Sequence, residues 1–288
     1  MQQNLKAPFT LEGKAALVTG SARGIGRAVA RKLAECGAAV MLTDVDEAPL
    51  RETAQQLGDE LGDEPGGRAL WVAGDITADG LPERVVEATL QAFGSLDIVV
   101  NNAGYVWDNV IQKMTDEQFE AMLKIHLVAP FRILRAAAGW IREAAKREAA
   151  EGRRVMRKVV NITSISGVDG IAGQAGYGAG KAGVNGLTKV LAKEWGRYNV
   201  NVNSVGFGLI ETRLIQAIDK NAPPAIEVAG RTIPVGAPPA FLEASKAACP
   251  LGRLGTTEEA AGAVLFFCSP LSDYVSGEIL IVSGGARG

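Results

Sequence analysis

Seven short, almost uniformly apolar runs punctuate this chain: AALVT (15–19), AVMLT (39–43), ALWVA (69–73), LDIVVN (96–101), VVNIT (159–163), VNVNSV (200–205) and ILIV (279–282). A strand with one face in water alternates apolar and polar side chains, so runs without alternation are buried on both faces. That demands a parallel sheet with helices on either side. Between the first two runs Ile25, Val29 and Leu33 recur at helical spacing, and Gly37 follows as a C-cap. Segments 47–61, 81–93, 116–150, 177–197 and 257–268 continue the alternation. The pattern predicts one α/β domain over residues 1–288, a doubly wound seven-stranded parallel sheet.

Composition removes several functions. Thirty basic and thirty-two acidic side chains give a net charge of −2, so no global field draws the chain to nucleic acid or to an anionic membrane. The opening MQQNLKAPFTLEGK has no apolar signal core, and no apolar run reaches about 18 residues. A soluble protein is expected. Cys36, Cys249 and Cys268 form no CxxC pair, which argues against a disulfide framework and a zinc site and fits a reducing cytoplasm.

TGSARGIG (19–26) follows the first expected strand and opens the first expected helix. Gly20, Gly24 and Gly26 allow the backbone to turn sharply and approach a pyrophosphate, and the helix N-terminus supplies free N–H groups, with Arg23 and Ile25 in the same turn. The context, strand then turn then helix, makes this a Rossmann-type dinucleotide site. Asp44 ends the second run, eighteen residues beyond Gly26. An acid there accepts from the ribose hydroxyls and repels a 2′-phosphate, which favours NAD over NADP; Arg23 pulls the other way.

Tyr177 and Lys181 stand four residues apart, thirteen beyond Ser164. On a helix they share a face, so the ammonium is expected to lower the phenol from its ordinary value of about 10 and make it a usable acid or base.

With TGSARGIG, the motifs GDIT (74–77), NNAG (101–104), NITS (161–164), YGAGK (177–181) and IET (210–212) resemble those of the short-chain dehydrogenase/reductase family over nearly the whole chain. They most resemble the branch containing 3-oxoacyl-[acyl-carrier-protein] reductases. The resemblance implies that Asp75 and Ile76 contact adenine. It places Asn102, Ala103 and Gly104 beside a cofactor ribose, with Thr212 and the backbone near Ile210 at the nicotinamide carboxamide. Tyr177 would exchange a proton with the substrate oxygen, Ser164 would orient that oxygen, and Lys181 would also bond the nicotinamide ribose. A dimer or tetramer follows by the same resemblance.

Two residues depart from the family pattern. His126, the only histidine, stands where relatives usually carry an asparagine of a proton relay, and is expected to join that relay and titrate near neutral pH. Phe207, in Gly206-Phe207-Gly208, replaces a common proline and is expected to reshape the pocket or alter packing. Two segments also break the rhythm. The charged run 142–158 reads as a helix end with a solvated exit, and 213–250, with six prolines and Ile215, Ile218, Ile226, Val228, Phe241 and Leu242, reads as a substrate lid.

The expected activity is hydride transfer between NAD and a small secondary alcohol or ketone, an acyl thioester included. The alternatives are an NADPH-dependent 3-oxoacyl-[acyl-carrier-protein] reductase and, more remotely, a non-catalytic dinucleotide-binding scaffold.

Overall fold

The computed structural model describes residues 9–62, 68–218, 224–228 and 230–286. Most of the N-terminal stretch and positions 219–223 and 229 of the expected lid lie outside the described residues. The strands are β1 (Ala15–Thr19), β2 (Ala39–Asp44), β3 (Ala69–Ala73), β4 (Ile98–Asn101), β5 (Arg157–Ser164), β6 (Val200–Phe207), β7 (Ala225–Val228), β8 (Arg231–Pro234) and β9 (Ile279–Val282). Seven form one sheet in the order β3-β2-β1-β4-β5-β6-β9, every pair parallel. These are the seven apolar runs.

Both faces of the sheet are covered. Helices α1 (Gly24–Glu35), α2 (Glu47–Leu61) and α8 (Thr257–Cys268) pack on one face; α3 (Leu81–Phe93), α4 (Asp116–Leu123), α5 (Ala129–Ala150) and α6 (Ala175–Trp195) pack on the other. Within β1, Ala16 and Val18 join the first core while Leu17 joins the second, and Val40, Met41 and Leu42 divide the same way in β2. Successive strand side chains point to opposite faces. The absence of alternation in these runs therefore records two cores, each fully buried Leu or Val adding about 1.5–3 kcal/mol. At the end of α1, Gly37 takes φ +99° and lets the chain turn into β2.

The helix expected over 116–150 is broken. Residues Lys124–Val128 form a π-helical turn between α4 and α5. Pro130 in the first turn of α5 has no N–H, and in an uninterrupted α-helix its ring would meet the carbonyl four residues back, that of His126. The wider turn removes that clash and sets His126 at the break.

The charged run is only partly solvated. Arg142, Glu143 and Lys146 are exposed, but Arg157 and Lys158 begin β5 at 3% and 4% exposure. Arg157 forks onto buried Glu148 and lies 4.9 Å from the Trp140 ring centre. Lys158 Nζ donates to Asp273 at 2.7 Å and Asn201 at 2.8 Å. Buried charges persist only when paired in this way, and that pairing is invisible in a charge run.

The lid segment is also more ordered than a loop. β7 and β8 form an antiparallel hairpin whose Ile226 and Ile233 face each other and are buried, and α7 (Pro239–Ala248) follows. Arg231 Nε donates to Glu117 on α4 at 2.7 Å, tying the hairpin to the body.

Candidate active site

The strand order reverses between β1 and β4, and a cavity of about 1000 Å³ opens at the carboxyl ends of the strands there. Such switch points are where open α/β sheets bind ligands. Gly20, Arg23, Gly24, Ile25, Gly26, Asp44, Asp75, Ile76, Asn102, Ala103, Gly104, His126, Ser164, Tyr177, Lys181, Ile210 and Thr212 all line it. Every expected site residue is therefore brought to one cleft.

The turn after β1 is built for close approach. A Cβ on Gly26 would lie 2.1 Å from the Gly20 carbonyl oxygen, and one on Gly20, at φ +65°, 2.7 Å from Ala103 Cα. Asn102, expected beside a ribose, spends its side-chain amide on the turn: Nδ2 donates to Thr19 O at 3.0 Å and Gly20 O at 2.9 Å. At the start of α1, Arg23 makes no side-chain cap and the first turn holds no acid. The leading N–H groups are left for an anion, so the residues present fit a dinucleotide pyrophosphate.

Asp44 is engaged by backbone. Its Oδ2 accepts from Ala22 N at 3.0 Å and its Oδ1 from Asp46 N at 3.2 Å. Burial raises its pKa against these donors. Each carboxylate oxygen retains acceptor capacity for a ribose hydroxyl. Arg23 pairs with Asp46 Oδ2 at 2.5 Å, and Arg213 reaches the same oxygen at 3.2 Å. The arginine that opposed the NAD expectation is thus partly neutralised.

Ser164 ends β5, and its Oγ accepts from Ser166 N at 3.1 Å. Tyr177 and Lys181 rise from α6 beside it. Buried side chains hold that helix against the sheet: Asn101 donates to Asn161, Asn161 to Thr188 on α6, and Thr188 bonds Ser204 on β6. Lys181 Nζ donates to Ile162 O at 2.7 Å and sits 5.5 Å from the centre of the Tyr177 ring.

The electrostatic expectation for this pair is corrected. Burial pushes the Tyr177 phenol up to about 12, opposed by a hydrogen bond with Ser164 and reinforced by the charge of Asp108. Burial also brings Lys181 down to about 7. Desolvation disfavours both charged forms, and the ammonium lies 5.5 Å from the centre of the ring. In the free cleft the phenol is therefore a proton donor.

His126 is corrected too. It is 3% exposed, its Nε2 donates to Tyr105 O at 2.7 Å, and its buried Nδ1 has no partner. The ring meets Tyr177 edge-on at 4.8 Å. Burial, then the Lys181 charge, hold its pKa well below the ordinary 6.5. It stays neutral where it was expected to titrate. His126→Asn is expected to give a pH–rate profile superimposable on the wild type; a limb near neutral pH that vanishes in the variant would restore the titrating role.

Phe207 is buried as the last residue of β6, opposite Ser164 in the neighbouring strand, and also lines the cavity. The residue after it continues the pairing with β9, Gly208 N donating to Val282 O at 3.1 Å.

Sequence reasoning missed the Asn101–Asn161–Thr188–Ser204 chain, whose signal was polar residues inside otherwise apolar runs. It also missed Asp108, Gln174 and Arg231.

Residues 20–287 match the family model described as Enoyl-(Acyl carrier protein) reductase. The chain is 39% identical over 277 residues to the 3-oxoacyl-[acyl-carrier-protein] reductase of Vibrio cholerae, covering 96% of this chain and 98% of that protein. It is 36% identical to the enzyme of the same name from Escherichia coli, with the same coverage. A crystal structure of gluconate 5-dehydrogenase from Burkholderia cenocepacia, in complex with NADP and tartrate, superimposes with a TM-score of 0.80 at 29% identity, covering 97% of each chain.

Proposed function

The chain belongs to the short-chain dehydrogenase/reductase family, and within it we propose that Tyr177 is the general acid–base, with Ser164 and Lys181 as its partners. The protein is a nicotinamide-dependent oxidoreductase acting on CH–OH and keto groups. The observation that carries the site assignment is the meeting of Ser164, Tyr177 and Lys181 in the same cleft as the glycine turn.

The nicotinamide supplies or takes the hydride when bound. Ser164 Oγ donates to the substrate oxygen and fixes its direction, while the Tyr177 hydroxyl gives that oxygen a proton in reduction and recovers it in oxidation. Lys181 has one protein acceptor, Ile162 O, and its other N–H positions suit ribose hydroxyls, which favour the ammonium. Asp75, Ile76, Asn102, Ala103, Gly104, Ile210 and Thr212 complete the cofactor walls.

For the cofactor we favour NAD, because Asp44 stands at the ribose end of β2 and Asp46 occupies Arg23. NADP is the second reading, supported by the NADP named in the Burkholderia structure and by the convergence of Arg23 and Arg213. Asp44→Ala is expected to raise NADPH kcat/KM relative to NADH by about 10- to 100-fold through lost repulsion. An unchanged ratio in initial rates would remove Asp44 from cofactor choice.

The substrate is a ketone or secondary alcohol with an apolar arm, since Leu214, Ile215, Ile226, Val228 and Phe241 of the lid line the cavity. A 3-oxoacyl thioester is the first to assay, because the Vibrio and Escherichia relatives carry that name. Initial rates on acetoacetyl-CoA, gluconate and simple ketones with both cofactors test the assignment. A cytoplasmic homo-oligomer, dimer or tetramer, is the state we infer.

A further inference from the structure

Three residues before Tyr177, Gln174 holds the cap position of α6 and lines the cavity. Its Nε2 donates to Oδ2 of Asp108, on the loop that follows β4. Backbone joins the same two segments: Asn109 N donates to Gly173 O at 3.0 Å, and Asn109 bridges to Gln174. Residues at i and i+3 share a helix face, so this contact fixes the turn beneath the phenol.

Asp108 exceeds what a structural tie requires. An asparagine oxygen would accept the same amide. Instead the site holds a carboxyl whose Oδ1 is sealed from solvent without a partner, and whose pKa burial pushes up to about 6. Burying an unsatisfied carboxylate oxygen is costly. Beyond the tie, the carboxylate lies within electrostatic reach of Tyr177, where it adds to the cost of ionising the phenol by less than burial does.

We propose that Asp108, tethered through Gln174, is a positioning residue for the start of the helix that carries Tyr177, and that its carboxylate shifts the pH range over which the phenol gives and recovers its proton. The inference rests on Tyr177 being the general acid–base. The charged and titratable groups around the phenol are Lys181 on α6, neutral His126 in the π-helical turn, Ser164 on β5 and Asp108. Next to Asp108 on its loop, Trp107 is covered at 5.7 Å by Arg231 of β8, which is itself paired with Glu117 of α4. An enzyme leaves the overall equilibrium unchanged, so the effect lies in the pH at which each direction runs.

Asp108→Asn keeps the bond to Gln174 and removes the charge. Two readouts apply to wild type, Asp108→Asn and Gln174→Leu: the pH profiles of acetoacetyl-CoA reduction and 3-hydroxybutyryl-CoA oxidation, and, needing no substrate, the NMR titration of [13Cζ]-tyrosine, with Tyr177 assigned by its loss in Tyr177→Phe. The titration midpoint in Asp108→Asn, and the oxidation limb with it, are expected to fall by about half a unit, and by less in Gln174→Leu, where the carboxylate stays but is untethered. Unchanged Tyr177 midpoints in the folded variants overturn the proposal. So does a folded Asp108→Asn without turnover in an assay the wild type performs, since a positioning residue leaves Ser164, Tyr177 and Lys181 able to act. If Asp108→Asn does not fold, Gln174→Leu decides alone. Full activity in Tyr177→Phe would instead remove the general acid–base beneath the proposal.

Discussion

Tyr177→Phe is expected to lower kcat for carbonyl reduction about 10³-fold, close to 4 kcal/mol of barrier, with cofactor affinity and melting temperature little changed. The phenyl ring fills the same place against the second core and edge-on to His126, so only the hydroxyl is lost. Ser164 would still orient the substrate oxygen, but His126 is neutral with its one N–H given to Tyr105 O, and Lys181 sits over the ring. Neither residue is expected to take over from the phenol. Single-turnover kinetics with fluorescence titration of the reduced cofactor separate the chemical step from binding. A loss under about 10-fold would move the proton donor elsewhere.

The second large effect belongs to the turn. In Gly26→Ala the new methyl would stand 2.1 Å from Gly20 O and 2.5 Å from Asn102 Nδ2. Gly20 O cannot retreat freely, because Asn102 Nδ2 holds it at 2.9 Å and Gly20 packs closely on Ala103. Relief must come from the turn itself, at about 1–3 kcal/mol of stability, and it displaces the N–H groups of the proposed pyrophosphate site. We expect cofactor Kd to rise at least about 100-fold, the loss of roughly two charge-assisted hydrogen bonds. Gly139→Ala in α5 and Gly186→Ala in α6 are the controls, since a Cβ there meets nothing within 4 Å. They are expected to be neutral or stabilising by up to about 1 kcal/mol. Isothermal titration and thermal melts on the three variants check the contrast, and equal behaviour of Gly26→Ala and the controls would refute it.

The motifs were legible because each is local. Glycines at a strand-to-helix turn, or a tyrosine and lysine at helical spacing, state their geometry within a few residues. The hairpin of β7 and β8 was not, because it buries one facing pair, Ile226 and Ile233, among prolines and shows too little alternation to read as strands. The π-helical turn was hidden for another reason: Pro130 signals a disturbed helix, but where the strain is released depends on packing around His126.

What the sequence determined by itself was the sheet and the inventory of the cleft. Uniform apolar runs permit only strands covered on both faces, and the order of the motifs then brings Gly20, Asp44, Asn102, Ser164 and Tyr177 to the same strand ends. Only the tertiary structure decided how those groups are charged and held. Tyr177 rises to about 12 instead of falling, His126 stays neutral, Arg157 and Lys158 are buried in pairs, and Asp108 meets Gln174 across 66 residues. Desolvation and long-range pairing depend on what packs around a group in three dimensions, and residue spacing along a chain carries no record of it.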